Sequence, residues 1–249
     1  MAERVSVLIL AYNEEAYIGK VLHDVLQLKV QGIVHDVVVV DDGSKDRTRE
    51  IAEKAGVKVI PLRENYGKGY GFYVGAKHLQ GKTDVLLTLD ADLKAVSGRQ
   101  VKEMLKHLQK KEVGMVIGTV KGFVSSGLSG IRAIRMSALN PLLKAENRNW
   151  LRYVAGVDKK TGKIVERVGY GLEHALNHFI AGDAIELKSP RVAIARTSFD
   201  AGPITMEEKR KGRTQRDITF LCDETRKNAS ELMKRNLFAE SKRKRRNRA

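Results

Sequence analysis

The chain of 249 residues is 42% apolar and 31% charged, a balance that excludes wholesale disorder and suffices for one large domain. No run approaches the roughly 18 to 20 uninterrupted apolar residues of a membrane span, and a single cysteine, Cys222, excludes an internal disulfide framework. The net charge of +16 points to anionic partners: nucleic acid, acidic lipid head groups or phosphorylated substrates.

The opening "MAERVSVLILAYNEE" carries no basic leader and no small-residue cleavage site, so it reads as a first strand, Val5 to Leu10, of a cytoplasmic protein. After it, Asn13 is placed to cap a helix in which Ile18, Val21, Leu22, Val25 and Leu26 recur at helical spacing, with Glu14 and Glu15 in the first turn. "DVVVV", Asp36 to Val40, is a second buried strand. In the "DDGSKDRT" turn beyond it, Gly43 permits a tight reversal and Ser44 or Asp46 can cap the helix carrying Ile51 and Ala52.

Val57 to Ile60 and Asp84 to Leu89 read as the third and fourth strands. The glycine-rich "NYGKGYGFYVGAKHL" between them reads as a loop, not as a segment that follows a strand and opens a helix in the dinucleotide-binding manner. A helix around Val101 to Leu108 and a strand Gly114 to Gly118 come next. From Gly122 the pattern loosens. "IRAIRMSALNPLLKA" predicts an amphipathic helix up to Pro141, "GYGLEHALNHFIAG" predicts another, and "AIELKS" and "VAIART" predict closing strands.

Strands alternating with helices predict an α/β fold with a Rossmann-like, mostly parallel sheet flanked by helices, spanning residues 1–206. Residues 207–249 form a predicted helical extension with a frayed end. It holds fifteen Lys or Arg against seven Asp or Glu and finishes on "KRKRRNRA".

In parallel sheets ligands bind outside the carboxyl ends of the strands, where "AYNEE", "DDGS" and "DAD" all fall. Asp90 and Asp92 stand two apart at the end of a strand-like run, so an extended backbone would point both carboxylates to one side. Like charges in that position must be hydrated, paired or placed on a metal, and hard oxygen donors suit Mg2+ or Mn2+. Asp41 and Asp42 can accept hydrogen bonds from a base N–H or a ribose hydroxyl. The spaced glycines around Lys68 let the backbone approach a ligand, with the ammonium offered to a phosphate.

Taken in order, "VSVLILAYNEE", "VVVVDDGSKDRTREIA", "NYGKGYGFYVGA" and "DVLLTLDADL" resemble glycosyltransferase family 2, whose fold is the GT-A nucleotide-diphospho-sugar transferase fold. Within it the chain is most similar to dolichyl-phosphate mannose synthases and related polyprenyl-phosphate hexosyltransferases; "GYGLEHAL" is also similar to glucosyl-3-phosphoglycerate synthase. The resemblance implies that Ala11, Tyr12 and Glu14 line a nucleoside pocket, that Asp41 or Asp42 holds the base, and that Lys68 lies near the nucleotide. It further implies that Asp90 and Ala91 face the ribose side and that Asp92, supported by Asp90, binds the Mg2+ or Mn2+ bridging the diphosphate. Lys94 stands where the mannose synthases carry glutamine, and Ala11 replaces a proline.

Downstream, "SGIRAIR" is similar to the segment in which those synthases hold the acceptor phosphate; on a helix Arg132 and Arg135 would share a face and grip it. Glu173 matches an acceptor-side acid and would be the general base toward an acceptor hydroxyl, whereas a phosphate acceptor needs no strong base. His174 and His178, at helical spacing, and Trp150, Tyr153 and Tyr170 read as ordinary surface and core residues.

The activity these features predict is metal-dependent, inverting transfer of a hexose from a UDP- or GDP-linked donor to a phosphate-bearing acceptor, first of all polyprenyl or dolichyl phosphate. The basic tail would supply peripheral contact with an anionic membrane. The alternatives are a soluble acceptor such as a phosphorylated small acid, or a non-catalytic, basic RNA-binding protein on the same fold; nucleic acid is not the expected partner.

Overall fold

The computed structural model describes residues 3–120, 129–144, 172, 173, 176, 177, 180 and 193–199. Cys222, Trp150, Tyr153, Tyr170, His174, His178, the predicted strand "AIELKS" and the whole 207–249 extension lie outside the described residues.

Among the described residues seven strands form one sheet: β1 (Val5–Ala11), β2 (Asp36–Asp41), β3 (Lys58–Pro61), β4 (Val85–Asp90), β5 (Val113–Val120), β6 (Arg132–Arg135) and β7 (Ala193–Phe199), in the order β3-β2-β1-β4-β6-β5-β7. All neighbours are parallel except β6, which runs antiparallel to both β4 and β5. Among the described residues the sheet is accompanied by α1 (Ile18–Val30), α2 (Thr48–Lys54), α3 (Lys68–Leu79), α4 (Gly98–Leu108), the single turn α5 (Met136–Leu139) and helical residues at 172, 173, 176, 177 and 180.

The strand runs are apolar on both faces because both faces are covered. Val7, Ile9, Val37, Val39, Leu87 and Leu89 meet α1, α2 and α4 on one side. Leu8, Val38, Val40, Leu86 and Ile134 meet α3, α5 and Leu172, Leu176 and Ile180 on the other. α4 starts where its sequence says it should: Ser97 Oγ accepts from Gln100 N while Gln100 Oε1 accepts from Ser97 N, a capping box.

Three predicted elements differ. Asn13 does not cap α1, which begins five residues later and has no acidic residue in its first turn; Asn13 instead has a positive φ of 55° and bonds to the β2–α2 turn. The glycine-rich segment is not a loop, since it follows β3 and opens α3 at Lys68. Gly75 explains how: a Cβ there would meet Leu8 Cδ1 at 2.3 Å, so the missing side chain lets the helix sit close on β1. The stretch from Ile131 is not an amphipathic helix but strand β6 followed by one turn, because its alternate residues, Arg132 and Ile134 against Ala133, serve opposite faces of the sheet.

Candidate active site

The strand order reverses at β1. β2 lies on one side and β4 on the other, with Ala11 in register with Asp41 and Leu10 in register with Asp90. Chain segments leaving these strands diverge at their carboxyl ends and open a crevice there. "AYNEE", "DDGS" and "DAD" therefore meet at one sheet edge.

The segments that leave β1 and β2 are laced together by backbone donors. Asn13 N donates to Ser44 Oγ at 3.0 Å and Lys45 N to Asn13 Oδ1 at 2.8 Å. Glu14 N donates to Thr48 Oγ1 at 2.7 Å, and Glu15 N to Asp46 Oδ2 at 3.1 Å. Ala11 is buried behind this double loop, while Tyr12 and Glu14 are half-buried along it. Burial works to raise the Asp46 carboxyl, but the hydroxyl and N–H of Thr48 and the N–H of Glu15 outweigh it and hold the group below its ordinary 3.8.

Asp41 and Asp42, both buried, do different work. Asp41 Oδ1 accepts from Ser44 N at 3.2 Å and closes the turn. Asp42 spends its two oxygens on the glycine segment: Oδ1 accepts from Tyr66 N at 2.8 Å and Oδ2 from Gly67 N at 2.9 Å. Next to Asp42, Gly43, at φ +73°, has no room for a side chain, because a Cβ would stand 2.5 Å from the Glu64 backbone. This turn anchors the start of α3.

Lys68, the first residue of α3, is thereby carried to the end of β4. Its Nζ lies 2.8 Å from Asp90 Oδ1 and 2.7 Å from Glu173 Oε1. Burial alone would lower the ammonium's pKa; the two carboxylates outweigh burial and raise it, so Lys68 stays protonated. Glu173 is only 1% exposed and sits on a helical segment with Leu172, Leu176 and Asn177. Lys68, Asp90, Arg132 and Glu173 all line one small cavity, floored by Phe72 and Thr88.

Asp90 is the last residue of β4, and Ala91 and Asp92, both buried, form a turn beyond it. Strand alternation therefore does not relate the two carboxylates, contrary to the extended backbone expected. Gly130 backs Asp90: a Cβ there would stand 2.2 Å from Asp90 Oδ1, and Thr88 Oγ1 donates to Gly130 O at 2.7 Å. Among the described residues no three His, Cys, Asp or Glu side chains converge to cage an ion. Two hard carboxylates nevertheless fit Mg2+ or Mn2+, which take one or two such ligands and complete the shell with water and phosphate oxygens.

Arg132 and Arg135 do not grip one phosphate. Three residues apart on a strand they face opposite sides, and β6 runs from Thr88 at the site edge back to Val85 at the far edge. Arg132 is 1% exposed and reaches into the cavity, where its guanidinium donates to Asn177 Oδ1 at 2.7 Å. Arg135 instead holds the end of α4, donating to the carbonyls of Leu108 and Val113 and pairing with Glu3. Sequence reasoning missed Gly130, Gly75 and Asn177. The first two are marked only by being glycines beside apolar or polar runs, and Asn177 by no signal.

Residues 6–171 match the family model described as Glycosyl transferase family 2. The undecaprenyl-phosphate 4-deoxy-4-formamido-L-arabinose transferase of Edwardsiella ictaluri is 33% identical over 125 residues, covering 47% of this chain and 37% of that protein. The dolichyl-phosphate beta-glucosyltransferase of Dictyostelium discoideum is 25% identical over 147 residues, covering 54% and 45%. The chain thus matches less than half the length of these curated relatives. Among solved structures, glucosyl-3-phosphoglycerate synthase from Mycobacterium tuberculosis, in complex with Mn2+, UDP and glucosyl-3-phosphoglycerate, shares the fold with a TM-score of 0.64 at 21% identity, covering 94% of this chain and 80% of that one.

Proposed function

The chain belongs to glycosyl transferase family 2, and on that footing we propose that it moves a hexose from a UDP- or GDP-linked donor to a phosphate-bearing acceptor, first of all a polyprenyl phosphate. The observation that carries this reading is the convergence of Lys68, Asp90 and Glu173 on the switch-point crevice, with Asp92 in the turn just beyond. The polyprenyl-phosphate acceptor is supported by the names of the two curated relatives.

In this reading the laced loop from Ala11 to Glu14 and the Asp41 turn receive the nucleoside. Asp42 acts indirectly, holding the backbone of Tyr66 and Gly67 so that α3 presents Lys68 to the phosphates. Asp92 and Asp90 would hold Mg2+ or Mn2+, which when bound supplies charge neutralisation for the leaving diphosphate. Arg132 lies beyond Asp90 in the same cavity and is the acceptor-side cation; Arg135 is not part of the site. The acceptor oxygen attacks the anomeric carbon from the face opposite the diphosphate and inverts it.

Glu173 favours a second acceptor chemistry. A carboxylate buried beside the donor residues is suited to taking the proton of an acceptor hydroxyl, which a phosphate acceptor does not carry into the reaction. A soluble phosphorylated acid with a free hydroxyl is the corresponding substrate.

No helix among the described residues is long and apolar enough to cross a membrane. The basic 207–249 extension is the proposed contact with anionic head groups. The test is a thermal-shift panel of UDP- and GDP-sugars with and without Mn2+, followed by transfer assays on polyprenyl phosphate in anionic vesicles and on 3-phosphoglycerate. One donor should raise Tm and support transfer. No shift and no transfer with any donor would sink the reading.

A further inference from the structure

Lys68 brings a permanent positive charge to a carboxylate that the proposed metal also needs. Its Nζ is 2.8 Å from Asp90 Oδ1 and 2.7 Å from Glu173 Oε1, and the three side chains come from α3, β4 and the helical segment at 173. A divalent ion bound to Asp90 would sit about 2.0 to 2.2 Å from an oxygen. An ammonium on the same carboxylate would then be pressed against it, and like charges that close repel strongly in a partly buried site. Gly130, with no side chain, leaves the Asp90 carboxylate the space in which Lys68 meets it. Glu173, on the other side of Lys68, offers the ammonium a second carboxylate to which it can retreat.

We propose that Lys68 is a built-in competitor for the metal position. Without metal it neutralises Asp90; when Mg2+ or Mn2+ arrives it gives up Asp90, keeps Glu173 and turns its freed N–H groups to the donor's phosphates. Metal alone therefore binds weakly, and metal and nucleoside diphosphate strengthen each other's binding, a coupling that is reciprocal by linkage. The site stays charge-balanced when empty and recruits its ion together with its donor. This inference rests on the assignment of Asp90 and Asp92 as metal residues.

The test measures Mn2+ binding to the full chain by electron paramagnetic resonance of the free ion, with no nucleotide and with UDP or GDP. Lys68→Met should tighten Mn2+-alone binding by about tenfold and reduce the enhancement that the nucleotide gives. Lys68→Arg, which keeps the charge, should bind Mn2+ alone as weakly as the wild type. Should Lys68→Met fail to fold with Glu173 left unpaired, Lys68→Met/Glu173→Gln is compared with Glu173→Gln, and the same tightening is expected. Unchanged or weaker Mn2+ affinity on removing the lysine, in a protein whose wild type takes up Mn2+ with nucleotide, overturns the competition. If the wild type takes up no Mn2+ even with UDP or GDP, while Asp90→Asn changes nothing, the metal assignment itself fails and the inference goes with it.

Discussion

The carboxylate of Asp90 occupies the space that a side chain at position 130 would need: a Cβ on Gly130 would stand 2.2 Å from Oδ1 and 2.6 Å from Oδ2. Two residues forty positions apart thus share one volume, and only glycine at 130 leaves Asp90 where Lys68 meets it. Gly130→Ala should displace the carboxylate, the movable partner, and leave the backbone alone. Transfer should fall by about a hundredfold, as misplacement of a reacting group by an ångström does, while Tm changes little. Steady-state kinetics beside a melting curve decides it; wild-type turnover would show that Asp90 has freedom to spare.

Asp92 lies buried in the turn after β4 and does not depend on Asp90 for its placement by strand alternation. Asp92→Asn preserves its shape and removes its charge. Sugar transfer should drop on the order of a thousandfold or more, with the far-ultraviolet circular dichroism unchanged. Unaltered turnover would remove Asp92 from the metal assignment.

Asp42 accepts from the backbone of Tyr66 and Gly67, so its loss is felt first as loosened structure. Asp42→Ala leaves two partly or fully buried N–H groups without their acceptor and should cost about 1–3 kcal/mol of stability in the absence of any ligand. Chemical denaturation of the ligand-free protein measures this. A residue that served only to hold a base would cost stability only when nucleotide is present.

Asp46 sets an acid limit. Its folded pKa lies below the ordinary 3.8, so its contribution to stability is complete above that value and is lost as pH falls through the folded pKa. Melting temperatures of wild type and Asp46→Ala should therefore differ at pH 6 and converge as the pH is taken well below 3.8. A gap that persists undiminished in acid would assign the effect to packing in place of charge.

Glu173→Gln separates the two acceptor chemistries. With a hydroxyl acceptor, kcat should fall by roughly 10²- to 10⁴-fold as general-base assistance is lost. With a polyprenyl phosphate the fall should be far smaller, because no proton has to be removed. Parallel assays on 3-phosphoglycerate and on a short-chain polyprenyl phosphate read the difference directly.

The sequence made the sheet legible wherever burial is two-sided. "VSVLIL", "DVVVV" and "DVLLTL" are mostly apolar runs of strand length, and they became β1, β2 and β4, with their polar exits at the expected edge. It was opaque where one residue's partner is remote. Asp42 looks like a free acceptor until Gly67, twenty-five residues on, is folded against it. Arg132 looks like a surface cation, yet it is buried because Asn177 and the cavity receive its guanidinium. "IRAIR" fits a helix on spacing alone; what makes it a strand is β4 on one side and β5 on the other.

β1 is the middle strand of the crevice, yet its two neighbours arrive very unequally in the chain. Val7 pairs with Val37, thirty residues later, and with Leu87, eighty residues later. During synthesis one edge of a bare Val-Ser-Val-Leu-Ile-Leu strand therefore waits through the whole of β2, α2, β3 and α3 for its hydrogen-bonding partner. Over that interval the nascent chain exposes an open apolar edge of the kind that pairs with other chains. The strand order that opens the crevice thus leaves β1 paired on one edge only until β4 has been made.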